Sequence, residues 1–211
     1  MKNKFPKDKI LEIGKDVLMS ATEGIAYTRA NLGISFVKAV NLIININGKI
    51  IFSGMGKSGI IARKLASTMS STGTFSCYIH PVEALHGDLG MIKKHDILII
   101  ISNSGETPEI ITFLKHVKDL NLDNEIIAIT SQKNSKICQY VDIKLFTHIS
   151  RETRKKDSQL YYVPTTSTTV AMALGDALIS ACRLTKGFEL TSFLKYHPEG
   201  HIGKLLKTKI G

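Results

Sequence analysis

The chain has 211 residues, 43% of them hydrophobic, which is enough for one large α/β domain and short for two. Its three cysteines, Cys77, Cys138 and Cys182, are far apart, odd in number and in no CxxC pair, which argues against a disulfide framework or a zinc ribbon and for a reducing cytoplasm. The formal net charge is +10, but the Lys and Arg residues are spread along the chain without a nucleic-acid-binding pattern, and no apolar run approaches the ~20 residues of a membrane span. The charge is read as solvated surface plus attraction for anionic small substrates, with no nucleic-acid or membrane partner. The basic N-terminus leads into no signal-peptide core, so a soluble cytoplasmic protein is expected.

In chain order, residues 7–45 carry apolar positions at helical spacing, Ile10, Ile13, Val17 and Leu18 and then Phe36, Val37 and Val40. They predict two N-terminal helices without evident chemistry, the kind of element that forms an oligomer interface. Residues 49–53 read as the first strand. It runs into Gly54-Met55-Gly56-Lys57-Ser58-Gly59 and then into helical spacing that stops at Gly73, a good C-cap. A P-loop needs a glycine five residues before the GK pair, where Ile51 stands, so Walker A fails. Gly54, Gly56 and Gly59 match the dinucleotide fingerprint. The acid expected ~20 residues on is missing, because the second strand, 75–79, ends in His80-Pro81 and Glu83 lies past the proline. Neither ATP nor NAD is therefore expected to bind. What survives is a strand, a glycine turn and a helix, with Gly56, Lys57 and Ser58 at the entrance where an anion can be met.

Residues 80–90 read as a loop with few regular features that holds His80, Glu83, His86 and Asp88. Loops off strand ends are where sites are built. His80 has a structural reading at a strand end before Pro81, and His86 is the stronger site candidate. Metal-ligand spacing is absent, and no zinc site is expected.

The stretch 97–111 organises the rest. Five apolar residues, Ile97–Ile101, suit a parallel strand buried on both faces. Ser102-Asn103-Ser104-Gly105-Glu106-Thr107 follows, and then Pro108, a residue favoured in the first turn of a helix. Strand, hydroxyl-rich loop and helix start is the arrangement in which open α/β sheets bind anions. One helix cap needs one hydroxyl. Here Ser102, Ser104 and Thr107 sit within six residues, which offers a neutral cradle for a phosphate monoester.

Residues 126–130 predict a fourth strand, 135–140 a short helix and 141–146 a fifth strand. The alternation gives a parallel, doubly wound sheet. Residues 147–160, polar and basic, read as a surface loop. Pro164 and five hydroxyl residues, 165–169, then open a long helix that closes near Gly187. Those hydroxyls fit either a helix cap or a wall of the site. The expected fold is a three-layer α/β/α sandwich with a five-stranded parallel sheet wound as in flavodoxin. A single domain is expected over 1–211, with N-terminal helices at 1–47, the α/β core at 48–187 and a C-terminal segment at 188–211 that carries His197-Pro198-Glu199-Gly200-His201.

The combination GMGKSG, HPVEALHGDLG, SNSGETPE, TSTT with GDAL, and HPEGHIGK resembles the sugar isomerase (SIS) domain, and within it the D-arabinose-5-phosphate isomerases. The resemblance covers roughly residues 10–206. SNSGE alone would indicate only an SIS domain, whereas GMGKSG with HGDLGM is much more specific to the arabinose-phosphate branch. It implies interconversion of D-ribulose 5-phosphate and D-arabinose 5-phosphate, the first step towards the bacterial sugar Kdo, through an enediol and with no metal or redox cofactor. It places Lys57, His86, Glu109 and His197 at the active site, without saying which of the last three takes the proton. It also implies a homotetramer whose sites borrow a histidine from a neighbouring subunit. In that family a pair of CBS domains usually follows, and a chain ending at Gly211 has no room for them, so it reads as a short form or as a piece cut at the domain boundary. The family's usual His-Pro-Gly-Gly is here His-Pro-Glu-Gly, which sets Glu199 and His201 beside His197. Residues 147–162 are atypical, and no role is transferred onto them. Two alternatives stay open: a non-catalytic sugar-phosphate-binding module, and an SIS isomerase for a longer sugar such as sedoheptulose 7-phosphate or a hexulose 6-phosphate.

Overall fold

The computed structural model describes residues 6–149, 152, 162–189, 192 and 196. Two helices, α1 (Lys7–Ala30) and α2 (Ile34–Ile44), precede β1 (Ile50–Gly54), α3 (Gly56–Ser71) and β2 (Ser76–Tyr78). A one-turn helix α4 (Pro81–Ala84) leads to β3 (Ile97–Ile101), α5 (Pro108–Asp119), β4 (Glu125–Thr130) and β5 (Ile143–Phe146), and α6 (Thr166–Thr185) follows. All strand pairings are parallel, and the sheet order is β2-β1-β3-β4-β5.

Strand composition follows from this layering. β1 and β3 are buried at every position because helices cover both faces, so neither shows alternation of apolar and polar residues. Successive residues still point to opposite sides. Ile97, Ile99 and Ile101 join one core with Phe52, Leu65 of α3 and Leu178 of α6. Leu98 and Ile100 join the other with Ile51, Phe113 and Leu114 of α5. The sandwich is thus α2, α3 and α6 on one face and α4 with α5 on the other, as the sequence predicts.

The sheet order sets the location of a site. β1 has β2 on one side and β3 on the other. The helices leaving β1 and β3, α3 and α5, therefore cover opposite faces, and their starts part above the strand ends. Such a switch in winding direction opens a crevice at the carboxyl edge of an α/β sheet. At the amino edge, Asp96 ties the strands together instead. Its buried carboxylate accepts from the backbone N–H groups of Lys49 (2.9 Å) and Lys93 (2.7 Å) and pairs with the Lys49 ammonium.

Several local expectations change. Residues 80–90 contain α4 and a 3-10 turn, Asp88–Met91, because His80 caps the helix: its Nδ1 accepts from Val82 N–H at 3.3 Å, and Pro81 fixes the first turn. The short helix at 135–140 is a 3-10 turn, Lys136–Gln139. The stripe on α1 is expected only as an element fit for an oligomer interface, and within it Ile13 and Val17 are half-buried. Ile10 and Leu18 are exposed, and the buried positions are the small Ser20, Gly24 and Thr28. A Cβ on Gly24 would stand 2.8 Å from Val170 of α6, so small residues let the two helices approach. The cysteines are free thiols. Cys182 is buried, and burial pushes its thiol up to about 11. Cys77 is half-buried against the α5 core.

Candidate active site

At the carboxyl ends of β1 and β3 lies a cavity of about 320 Å³. Three helix starts reach it, and each is shaped differently by its sequence.

The α3 start contributes Met55, Lys57 and Ser58. Gly56 bends the chain with φ +54°, a left-handed value that glycine adopts without strain. Gly59 packs against the end of β1, where a Cβ would stand 2.6 Å from the Gly54 carbonyl and 2.9 Å from the Tyr78 hydroxyl. That hydroxyl donates to the Gly54 carbonyl at 2.9 Å. Met55 at the cap position of α3 makes no cap bond with its side chain, which leaves the first-turn N–H groups without that acceptor.

The α5 start contributes Ser102, Asn103, Ser104 and Thr107. The loop is folded by its own hydroxyls. Ser102 Oγ is buried, accepts from Gly105 N–H at 3.2 Å and lies 3.4 Å from Thr107 Oγ1. Ser104 Oγ accepts from Glu106 N–H at 3.2 Å. Thr107 stands at the cap position of α5 and makes no cap bond with its side chain. Its hydroxyl is thus not used up by capping, and the helix dipole favours an anion here.

The α6 start contributes Pro164, Ser167 and Thr168. Of the hydroxyl run, Ser167 and Thr168 form a wall of the cavity, while the acceptor at the helix start comes from elsewhere. Glu152 Oε2 accepts from the backbone N–H groups of Thr165 and Ser167, each at 3.0 Å, and the Glu152 carbonyl accepts from Thr166 Oγ1 at 2.8 Å. Glu152 also lines the cavity. Sequence reading missed it by treating 147–160 as surface loop. The available signal was an acid a dozen residues before a hydroxyl-rich helix start, which has no acidic residue of its own in the first turn.

The structure therefore brings together Lys57, Ser58, Ser102, Asn103, Ser104 and Thr107, with Gly56 shaping the entrance. Among the described residues, Lys57 and Glu152 are the cavity's charged side chains. His86 and Glu109 are exposed and do not line it within one chain. His197 lies outside the described residues, as do Glu199 and His201.

A family model described as the SIS domain matches residues 42–181. An arabinose 5-phosphate isomerase KpsF from Escherichia coli is 46% identical over 175 residues, which is 83% of this chain and 53% of that protein. The arabinose 5-phosphate isomerase KdsD of Pseudomonas aeruginosa is 40% identical over 86% of this chain and 54% of its own length. The chain thus spans about half the length of the curated relatives it matches. Among solved structures, c3406 of E. coli CFT073 in complex with arabinose 5-phosphate superposes with a TM-score of 0.84 at 34% identity, covering 92% of this chain and all of that one. A phosphosugar isomerase from Bacteroides fragilis, described as putative and as involved in capsule formation, superposes with a TM-score of 0.77 at 34% identity over 90% and 96% of the two chains.

Proposed function

The chain belongs to the SIS domain family, and on that premise we propose that it isomerises D-ribulose 5-phosphate and D-arabinose 5-phosphate. One observation carries the reading: a hydroxyl loop and three helix starts converge on one cavity that also holds an ammonium and a carboxylate. The cavity volume is in the range of small-ligand sites. The phosphate sits against Ser102, Ser104, Thr107 and the α5 amides. Its five-carbon chain then extends towards Lys57 and Glu152. Interconversion requires a base that moves a proton between adjacent carbons and a cation that stabilises the enediolate oxygen. Lys57 is the cation. Glu152 joins Glu109, His86 and His197 as a candidate for the proton, and it is the one that lines this cavity among the described residues.

The finer readings follow from the same observations. A homotetramer is supported by the apolar exposure of α1 and α2, where Ile10, Leu11, Leu18, Ile25, Ile34 and Val37 all face outward. It is also supported by His86, exposed on one chain and available to a neighbour's cavity. A single domain is supported by two cores that share one sheet. Placement in the cytoplasm rests on the free thiols and on the absence, among the described residues, of a helix long and apolar enough to cross a membrane. The product's use would be Kdo, and through it lipopolysaccharide or capsule.

The test is a panel of ribulose 5-phosphate, sedoheptulose 7-phosphate and a hexulose 6-phosphate. Turnover of the first supports the proposal, and turnover of a longer sugar alone replaces it. The exposed His86 and Glu109 favour a second reading, a module that binds without turnover. It predicts calorimetric binding of arabinose 5-phosphate with no isomerisation at any enzyme concentration.

The cradle has its own test. Ser104→Ala and Thr107→Ala should each raise KM, because a hydrogen bond to a charged phosphate contributes on the order of 1.5–3 kcal/mol. Unchanged KM in both variants would place the phosphate elsewhere.

A further inference from the structure

Glu106 is an anomaly in a loop that is meant to hold a phosphate. A carboxylate there repels the ligand unless it is turned away and paired. The structure does both. Glu106 Oε1 accepts from the backbone N–H of Lys136 at 2.7 Å, and its other oxygen stands 3.3 Å from the Lys136 ammonium. The Lys136 backbone N–H, backed by that ammonium, holds the carboxyl below its ordinary range although the side chain is 45% exposed. The partner segment runs from Ser131 to the 3-10 turn and does not line the cavity. It supports the loop from behind. Ser131 N–H donates to the Asn103 carbonyl at 3.1 Å, and Ile137 N–H to the Gly105 carbonyl at 3.0 Å. Those two bonds use backbone only. Glu106 adds the loop's own side chain to the same seam, one residue from Thr107 and two from Ser104.

We propose that Glu106 is a positioning residue: clasped on Lys136, it fixes the Ser102–Thr107 loop in the shape that presents its hydroxyls to a phosphate. This rests on the phosphate-cradle reading above. A free loop would have to order on binding, so the clasp acts on affinity and leaves the proton-transfer step alone. The effect is local to the phosphate end of the ligand, and inorganic phosphate feels it as a sugar phosphate does.

The experiment measures Kd for inorganic phosphate and for arabinose 5-phosphate by calorimetry, with KM and kcat, in Glu106→Ala, Glu106→Gln and Lys136→Met. Glu106→Ala should weaken both ligands at least about threefold while kcat stays within about twofold. Glu106→Gln keeps an oxygen for the Lys136 N–H and should recover most of that loss. Lys136→Met keeps the N–H and should weaken binding less than Glu106→Ala. Parent-like Kd values in Glu106→Ala overturn the proposal, and so does a fall in kcat with Kd unchanged. A parent that binds inorganic phosphate but isomerises nothing overturns the isomerase reading and leaves the clasp to be judged on Kd.

Discussion

Lys57→Met should lower kcat on the order of 10²–10³-fold, with a much smaller change in KM. Among the described residues, the cavity holds neutral hydroxyls, the Glu152 carboxylate and the Lys57 ammonium. Proton abstraction next to a carbonyl builds negative charge on the carbonyl oxygen, which is absent in the bound sugar. A cation fixed at that end of the cavity therefore gains attraction as the transition state forms, and a group that gains it only there acts on kcat. Lys57 meets the structural requirement, since it sits in the first turn of α3, directly after the left-handed Gly56. The competing role is phosphate binding. In that case Lys57→Met raises KM and weakens inorganic phosphate by the same factor, and kcat is kept. Separate measurement of kcat, KM and phosphate Kd decides between the two, and a variant that matches the parent in all three removes Lys57 from the site.

The two roles differ in how they were legible from sequence. The cradle could be read because its parts are local: a strand, a hydroxyl loop and a proline at a helix start lie within fifteen consecutive residues, and backbone geometry alone brings them together. The same locality made the strands and the start of α5 readable to within a residue or two. The crevice could be anticipated as well, because alternating strands and helices imply a doubly wound sheet with a switch point. Features that depend on distant segments were not legible. Glu152 comes to the α6 start from a segment that follows β5 in the chain, and its only sequence signal as an acceptor for Thr165 and Ser167 is indirect, the acid-free first turn of α6. His86 and Glu109 were placed at the site by resemblance, yet within one chain both face solvent. The apolar stripe on α1 was correctly periodic, and what periodicity could not say is that small residues face α6 while Ile10 and Leu18 face outward. A helical moment reports an apolar face and is silent on whether the same chain covers it.

Gly105→Ala should be the most damaging single methyl in the loop. Gly105 has φ +65°, and for an alanine that region costs roughly 1–2 kcal/mol. The added Cβ would also collide with Ser135 Oγ and stand 2.6 Å from Ser135 Cβ and 2.8 Å from Ile137 Cγ2. Ser135 cannot simply turn aside: it is buried, and its Oγ donates to the Gln132 carbonyl at 2.8 Å. Overpacking of this kind costs roughly 1–3 kcal/mol more, so a total of about 2–5 kcal/mol is expected, a Tm lower by about 5–15 °C for a chain of this size. Any relaxation must move the loop off the 131–137 segment. That movement breaks the Gly105 N–H bond to Ser102 Oγ and spreads the three hydroxyls of the cradle, so phosphate affinity should fall with stability. Gly105→Asn separates the contributions, because asparagine tolerates the left-handed region while keeping the clash. If backbone strain dominates, Gly105→Asn melts well above Gly105→Ala; if the clash dominates, the two melt together. Adding Ser135→Gly to Gly105→Ala should restore part of the Tm by opening space. A Gly105→Ala protein with the parent's Tm and the parent's phosphate Kd would show that the loop is not held against Ser135 in solution, and the geometry of the cradle would have to be redrawn.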